Sequence, residues 1–216
     1  MKKLSKGLMT VAATAALSLS AMTANASMLT GSFTIDIYNF DAGGSSAAAA
    51  ATAANVTTAA ANGKLVATIL YVGALDFRTA GSPNPNIDDF LDTGGGTFND
   101  AGLNILMTNG GFRTTTLFDI KANVGAGYGA IRHDDGISLF DDGVLVTPAA
   151  AANPTVEIPT PYTFNGGAFR LIYSAANGNP EVLEVDFTPV PLPAAAWLLL
   201  TGLGGLGMLG RRRKVS

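Results

Sequence analysis

The chain has 216 residues, no cysteine, one histidine, and 13 basic against 16 acidic residues, a formal charge of −3. Without cysteine there is no thiol nucleophile, no disulfide, no Cys-ligated zinc and no lipoprotein-type acylation. No Gly-x-Ser-x-Gly elbow accompanies His133, which reads as a surface histidine, so the chain is not expected to be an enzyme.

Lys2, Lys3 and Lys6 form a basic start, Leu8 to Met22 is apolar or small, and Ala24-Asn25-Ala26 supplies an A-x-A cleavage site. Residues 1–26 therefore read as a secretory signal peptide, cut by signal peptidase before Ser27. The body, 27–189, fits one domain. It keeps all 16 acidic residues but only Lys64, Arg78, Arg113, Lys121, Arg132 and Arg170 as bases, a formal −10. That charge excludes nucleic acid as a partner, because phosphate is repelled and no basic stripe exists. It suits solubility or divalent cations.

Ser32 to Phe40 alternates, with Phe33, Ile35 and Ile37 on one face, and predicts a strand. Ala47–Ala61 is nearly all Ala and Thr, and reads either as a short helix capped by Ser45 or Ser46 or as a flexible linker. Lys64–Phe77 predicts one or two strands. Gly81–Gly96 is turn-rich, Asp88-Asp89 sits in it as a solvated pair, and Gly94-Gly95-Gly96 lacks the Lys-Ser/Thr ending of a phosphate loop. Phe112–Asn123 predicts a half-buried strand, Phe118, Ile120 and Ala122 inward, Leu117, Asp119 and Lys121 on a mostly polar face.

Ile131–Asp135 runs into the tight turn Asp134-Asp135-Gly136, then Ile137–Phe140, then Asp142-Gly143, a strong hairpin signal because both central residues of a type I′ turn need positive φ. Tyr162 and Phe164 lie at alternate positions and pack one face or stack on a sugar. Ala168–Ser174 is a return strand, Ala175–Pro180 a polar loop, and Val182–Phe187 a last strand with Leu183, Val185 and Phe187 inward and Val182, Glu184 and Asp186 outward. The body is predicted to be all-β, an antiparallel sandwich. From Leu192 to Gly210 the chain is uncharged for 19 residues, roughly 28 Å as a helix and near one bilayer core. Arg211-Arg212-Arg213-Lys214 behind it should keep the C-terminus cytoplasmic, and Trp197 suits the far headgroup level.

Two resemblances follow from these residues. Val190-Pro191-Leu192-Pro193-Ala194, the span 192–210 and the basic stop resemble a PEP-CTERM sorting signal in its VPLPA variant, against the plainer reading of a single-pass anchor. The resemblance implies processing of the 190–216 tail by an exosortase-like enzyme from an inner-membrane intermediate, with release or re-anchoring at the cell surface or in the extracellular matrix. The order of turns and strands over 118–187 resembles the PA14 domain, a β-sandwich of toxins, glycosidases and adhesins. In its carbohydrate-binding adhesins two adjacent aspartates hold a calcium that contacts the sugar; the matching residues are Asp134 and Asp135, with Asn177 and Asn179 in the facing loop as helpers. A turn-capping role for the two carboxylates is the competing explanation. Asp141 and Asp142 lie a strand away, roughly 13 Å at ~3.3 Å per residue, and belong elsewhere.

The functional expectation is adhesion with calcium-assisted binding of extracellular polysaccharide. A matrix or biofilm protein without a specific ligand is the alternative, and a glycan hydrolase comes third. Intact mass of the exported protein tests the processing: it should lack residues 1–26 and the basic tail. A surface species still ending in Ser216 makes the tail a plain anchor.

Overall fold

The computed structural model describes residues 26–79, 85–149 and 156–191. Its elements are β1 (Ser27–Met28), β2 (Thr30–Asp41), α1 (Ser46–Ala49), α2 (Ala53–Ala61), β3 (Leu65–Ala74), β4 (Asp76–Arg78), α3 (Ile87–Asp92), β5 (Thr114–Val124), β6 (Gly127–His133), β7 (Ile137–Asp141), β8 (Val144–Ala149), β9 (Ile158–Phe164), β10 (Gly167–Ala175) and β11 (Val182–Pro189). One sheet runs β3-β2-β5-β10-β7-β8. The other runs β1-β11-β6-β9, with β4 also pairing with β11. The pairings that build both sheets are antiparallel.

Period-two alternation fills the space between the sheets. Phe33, Ile35 and Ile37 from β2, Phe118 and Ile120 from β5, and Phe169, Leu171 and Tyr173 from β10 meet Ile131, Leu183, Val185 and Phe164 of the opposite sheet. An aromatic chain runs through this core: Phe90 has its ring centre 5.3 Å from Phe77, 5.5 Å from Phe118 and 5.9 Å from Tyr173. Phe90 is carried by α3, which begins at Ile87. Asp88 and Asp89 are thus the first turn of a helix, where carboxylates favour the exposed amides, rather than a loop pair. The glycines at 94 and 96 have a packing reason, since a side chain at either would collide with Tyr71.

The Ala-rich stretch is helical. Ser45 caps α1 by accepting from Ala48 N, and Thr52 caps α2 by accepting from Asn55 N. These helices cover part of the outer face of the six-stranded sheet, where Ala51, Val56 and Ala59 pack on Tyr38, Leu117 and Ile172. That cover explains why β5 is not half-polar as its pattern suggested: Leu117 is fully buried, and Asp119 is buried between two bases. Arg170 Nε lies 2.6 Å and Lys121 Nζ 2.9 Å from its oxygens. Asp142 (φ 47) and Gly143 (φ 83) form the expected turn between β7 and β8.

Two side chains of β11 depart from expectation. Val182 is fully buried, and Phe187, packed on the core, is only half-buried. The strand's contribution therefore rests on Leu183 and Val185. Leu183→Ala should cost about 2–5 kcal/mol in a denaturant melt, with Phe187→Ala costing less. A near-zero loss for Leu183→Ala would place β11 outside the core.

Ala26 is exposed, and Val190 and Pro191 are exposed just past β11; Val190 N donates to Ala126 O at 2.9 Å. Ala24, Leu192, Pro193, Ala194 and the span 192–210 lie outside the described residues, as does most of the signal peptide. Among the described residues no helix is long and apolar enough to cross a membrane.

Candidate metal centre

β6 ends at His133, and the chain turns through Asp134-Asp135-Gly136 into β7. This turn is clamped from several sides. Gly136 O accepts from Ser174 N at 2.9 Å. His133 is not a surface residue: it is 2% exposed. Its Nδ1 lies 2.5 Å from Asp135 O and its Nε2 2.6 Å from Thr160 Oγ1. A carbonyl only accepts, so Nδ1 carries the proton and Nε2 accepts from the threonine hydroxyl. Burial lowers the imidazole pKa and keeps the ring neutral.

Asp134 and Asp135 both point inward, each 2% exposed, and Glu181 joins them with no exposure at all. One ligand oxygen from each of the three lies within 4.8 Å of the others. Asp134 Oδ1 accepts from Val182 N (2.8 Å) and from the Tyr173 hydroxyl (3.0 Å). Asp135 Oδ2 accepts from Ala176 N (2.7 Å) and Asn177 N (3.2 Å). Glu181 Oε2 accepts from the same Tyr173 hydroxyl at 2.8 Å. The second oxygen of each carboxylate, Asp134 Oδ2, Asp135 Oδ1 and Glu181 Oε1, has no hydrogen-bond partner among the described residues and exposes less than 1 Å². Among the described residues no lysine or arginine pairs with any of the three; Arg78, Lys121, Arg132 and Arg170 face Asp36, Asp119, Glu157 and Glu184 instead.

A phenol has one proton, so Tyr173 cannot donate to Asp134 and Glu181 at once. In the absence of a cation one of these carboxyls must carry a proton and donate to the phenol oxygen. The electrostatics agree. Burial pushes Asp134 up to about 6; burial and then the neighbouring Asp134 charge push Asp135 up to about 8. Burial, then Asp135 and Asp134, raise Glu181 well above the usual carboxylate range.

The donor set is all oxygen, acidic and free of thiolate or available imidazole, which is the chemistry of a hard divalent cation. Calcium takes about six to eight oxygens, and three carboxylates offer six, three of them without another partner. The residues present fit such an ion.

The facing loop supplies Glu181, not the amides expected from it. Asn177 Oδ1 is taken by Gly111 N at 3.2 Å, and Asn179 Oδ1 by the Thr79 hydroxyl at 2.8 Å. Both asparagines tie the loop to its neighbours. Asp141 and Asp142 do serve elsewhere: Asp141 Oδ2 holds Asn165 N at 2.8 Å, and Asp142 Oδ1 holds Ala168 N at 2.7 Å. Tyr162 and Phe164 are buried, with the Tyr162 hydroxyl on Asp186 O, so neither offers a face to a ligand.

No protein-family model matches the chain, and no curated protein is similar to it in sequence. Among solved structures it is similar to a PA14 sugar-binding domain from an RTX adhesin, at 14% identity and a TM-score of 0.49, over 73% of this chain and 88% of that one. It is also similar to the PA14 domain of the MpAFP antifreeze protein, at 12% identity and a TM-score of 0.49, over 75% of this chain and 83% of that one. At such identities the chemistry of the site rests on this chain's own side chains.

The raised carboxyls set a pH dependence. Their folded-state values lie above the ordinary 3.8 of aspartate, so between roughly pH 4 and 8 the cation-free folded state binds more protons than the unfolded chain. Stability then falls as pH rises through that window. In EDTA the melting temperature should drop from pH 4 towards 8, and Asp135→Asn should flatten the upper part of the drop. A cation-free melt that rises over this range would mean the cluster is already compensated.

Proposed function

We propose that this chain is an exported cell-surface or extracellular-matrix protein that binds polysaccharide in an adhesive role and carries a structural calcium ion. The observation that carries the reading is the enclosed set of Asp134, Asp135 and Glu181, each with an orphaned oxygen and, among the described residues, none with a basic partner. The order of turns over 118–187, which resembles PA14, supplies the ligand class. The signal peptide and the Val190–Ala194 sorting motif supply the route, through signal peptidase and an exosortase-like enzyme.

Bound at the cluster, the ion supplies positive charge that lets the three carboxylates stay ionised together. Asp134 and Asp135 hold the turn after β6, and through Val182, Ala176 and Asn177 amides they hold the start of β11 and the loop 176–181. The orphaned oxygens are sealed from solvent, so an ion held by Asp134, Asp135 and Glu181 would order these loops rather than contact an external sugar. This differs from the sugar-bridging calcium that the resemblance implies.

A second reading, a matrix protein without a specific ligand, draws support from apolar side chains exposed on the two end strands of the six-stranded sheet. Leu65, Leu70 and Val72 on β3 and Val144, Leu145 and Val146 on β8 are exposed, and exposed apolar surface favours association.

A ligand that binds only the folded state stabilises it by about 2.7 kcal/mol at a hundredfold excess over Kd. Calcium should therefore raise the wild-type melt relative to EDTA. The difference should vanish in Asp134→Asn/Asp135→Asn and in Glu181→Gln but persist in Asp141→Asn. An unchanged wild-type melt at millimolar calcium would remove the ion from the proposal. A glycan array with no retained sugar would favour the matrix reading, and release of reducing sugar would favour a hydrolase.

A further inference from the structure

We propose that the cleft between α2 and the end of β2 is a binding subsite for a single neutral sugar ring. The assignment rests on the carbohydrate-binding reading and gives it a place, since the sealed carboxylate cluster cannot meet a sugar directly.

The cleft measures about 240 Å³ and is walled by Phe40 and Asp41 of β2, Asn55, Thr58 and Asn62 of α2 and its C-cap, and Lys64 before β3. That is below the ~300–1,000 Å³ of pockets for drug-sized ligands and suits one ring rather than a chain. Positions 55, 58 and 62 follow helical spacing and form one stripe. A helix that only needed to pack on the sheet would turn apolar side chains to this seam. Here the apolar contact is made by Val56 and Ala59, and the adjoining stripe stays polar. Alanines line the rest of the wall, where larger side chains would have filled the gap.

The polar groups keep spare capacity. Both amide hydrogens of Asn55 are spent on Ala47 O (2.9 Å) and Ala50 O (2.8 Å), which fixes the side chain and leaves Oδ1 as a positioned acceptor. Asp41 Oδ1 holds Gly43 N at 2.7 Å, and its Oδ2 has no partner among the described residues. Lys64 offers a donor with no ion pair among the described residues, and Asn62 and Thr58 both donate and accept. These acceptors and donors share the cleft with one half-buried phenyl ring, that of Phe40. The Asp41 and Lys64 charges offset each other, so neither an anion nor a cation is selected. A pyranose matches this set: one C–H face for the aromatic ring and neighbouring hydroxyls that each donate and accept.

The test uses the exported protein on a glycan array in calcium, followed by titration of methyl glycosides of glucose, galactose and mannose and of N-acetylglucosamine. The variants are Asn62→Trp, which fills the cleft mouth, and Asn62→Ala and Lys64→Ala, which remove polar contacts. Both positions are exposed, so the melts should match wild type; if Asn62→Trp melts early, Thr58→Trp on the same exposed stripe replaces it. A sugar retained by wild type should be lost in Asn62→Trp and weakened at least tenfold in Asn62→Ala. Full binding by the Trp variant overturns the cleft assignment and leaves the carbohydrate reading in place. A wild type that retains no sugar removes that reading and the subsite together.

Discussion

Three carboxyl groups crowded into one closed volume set the terms for one whole pole of this sandwich. Asp134, Asp135 and Glu181 are held together by the covalent turn after β6 and by the start of β11, and among the described residues no side chain of opposite sign reaches them. Taking even one carboxylate out of water is costly unless it is paired or protonated, and three cannot be ionised there without positive charge. The same chain shows the ordinary solution elsewhere. Asp119 is just as buried, yet Arg170 and Lys121 both lie against it. The contrast makes the lack of a base at the cluster a specific feature of that pole rather than a general tolerance of buried acid.

What surrounds the cluster depends on how that charge is handled. Asp134 receives the first amide of β11, Asp135 receives two amides of the loop after β10, and Tyr173 reaches two carboxylates from the core face of β10. Tyr173 also stacks on Phe90, which links α3 to the same point. Three strands, a loop and a helix are thereby referred to one small polar volume inside an apolar core.

Much of the fold was legible because a buried strand face repeats every two residues. Phe33, Ile35 and Ile37, and later Leu183 and Val185, could be assigned inward from spacing alone, and Asp142-Gly143 announced its turn through the backbone it requires. The misses have physical reasons. Leu117 and Val182 were placed outward because period two describes one face, whereas helices α1 and α2 and the carboxylate pole bury parts of the other. His133 seemed exposed for want of a visible partner, but its partners are a backbone carbonyl and a threonine 27 residues away. Of the candidate site, the adjacent aspartates were readable as a pair in a tight turn. Glu181 was not, although a signal existed: carrying the inward alternation of 187, 185 and 183 one step back lands on 181. The loop amides of Asn177 and Asn179 looked like better oxygen donors only because their competing partners, Gly111 N and the Thr79 hydroxyl, come from distant parts of the chain.

β11 leaves the sandwich at Pro189 and enters it beside Glu181. Whatever pulls on the chain beyond Pro189 loads this strand at its exit, and the load must travel its full length before it reaches the carboxylate pole. A pull directed away from the sheet peels the strand bond by bond from its C-terminal end, against antiparallel neighbours on both edges, β6 on one side and β1 and β4 on the other. The first bonds to go are that from Val190 N to Ala126 O and then the pairings near Gly127 and Ser27. The last are those at Val182, next to Glu181. The carboxylate pole thus lies at the end of β11 farthest from residue 189, and a load entering there reaches Glu181 only after the pairings along the strand have yielded.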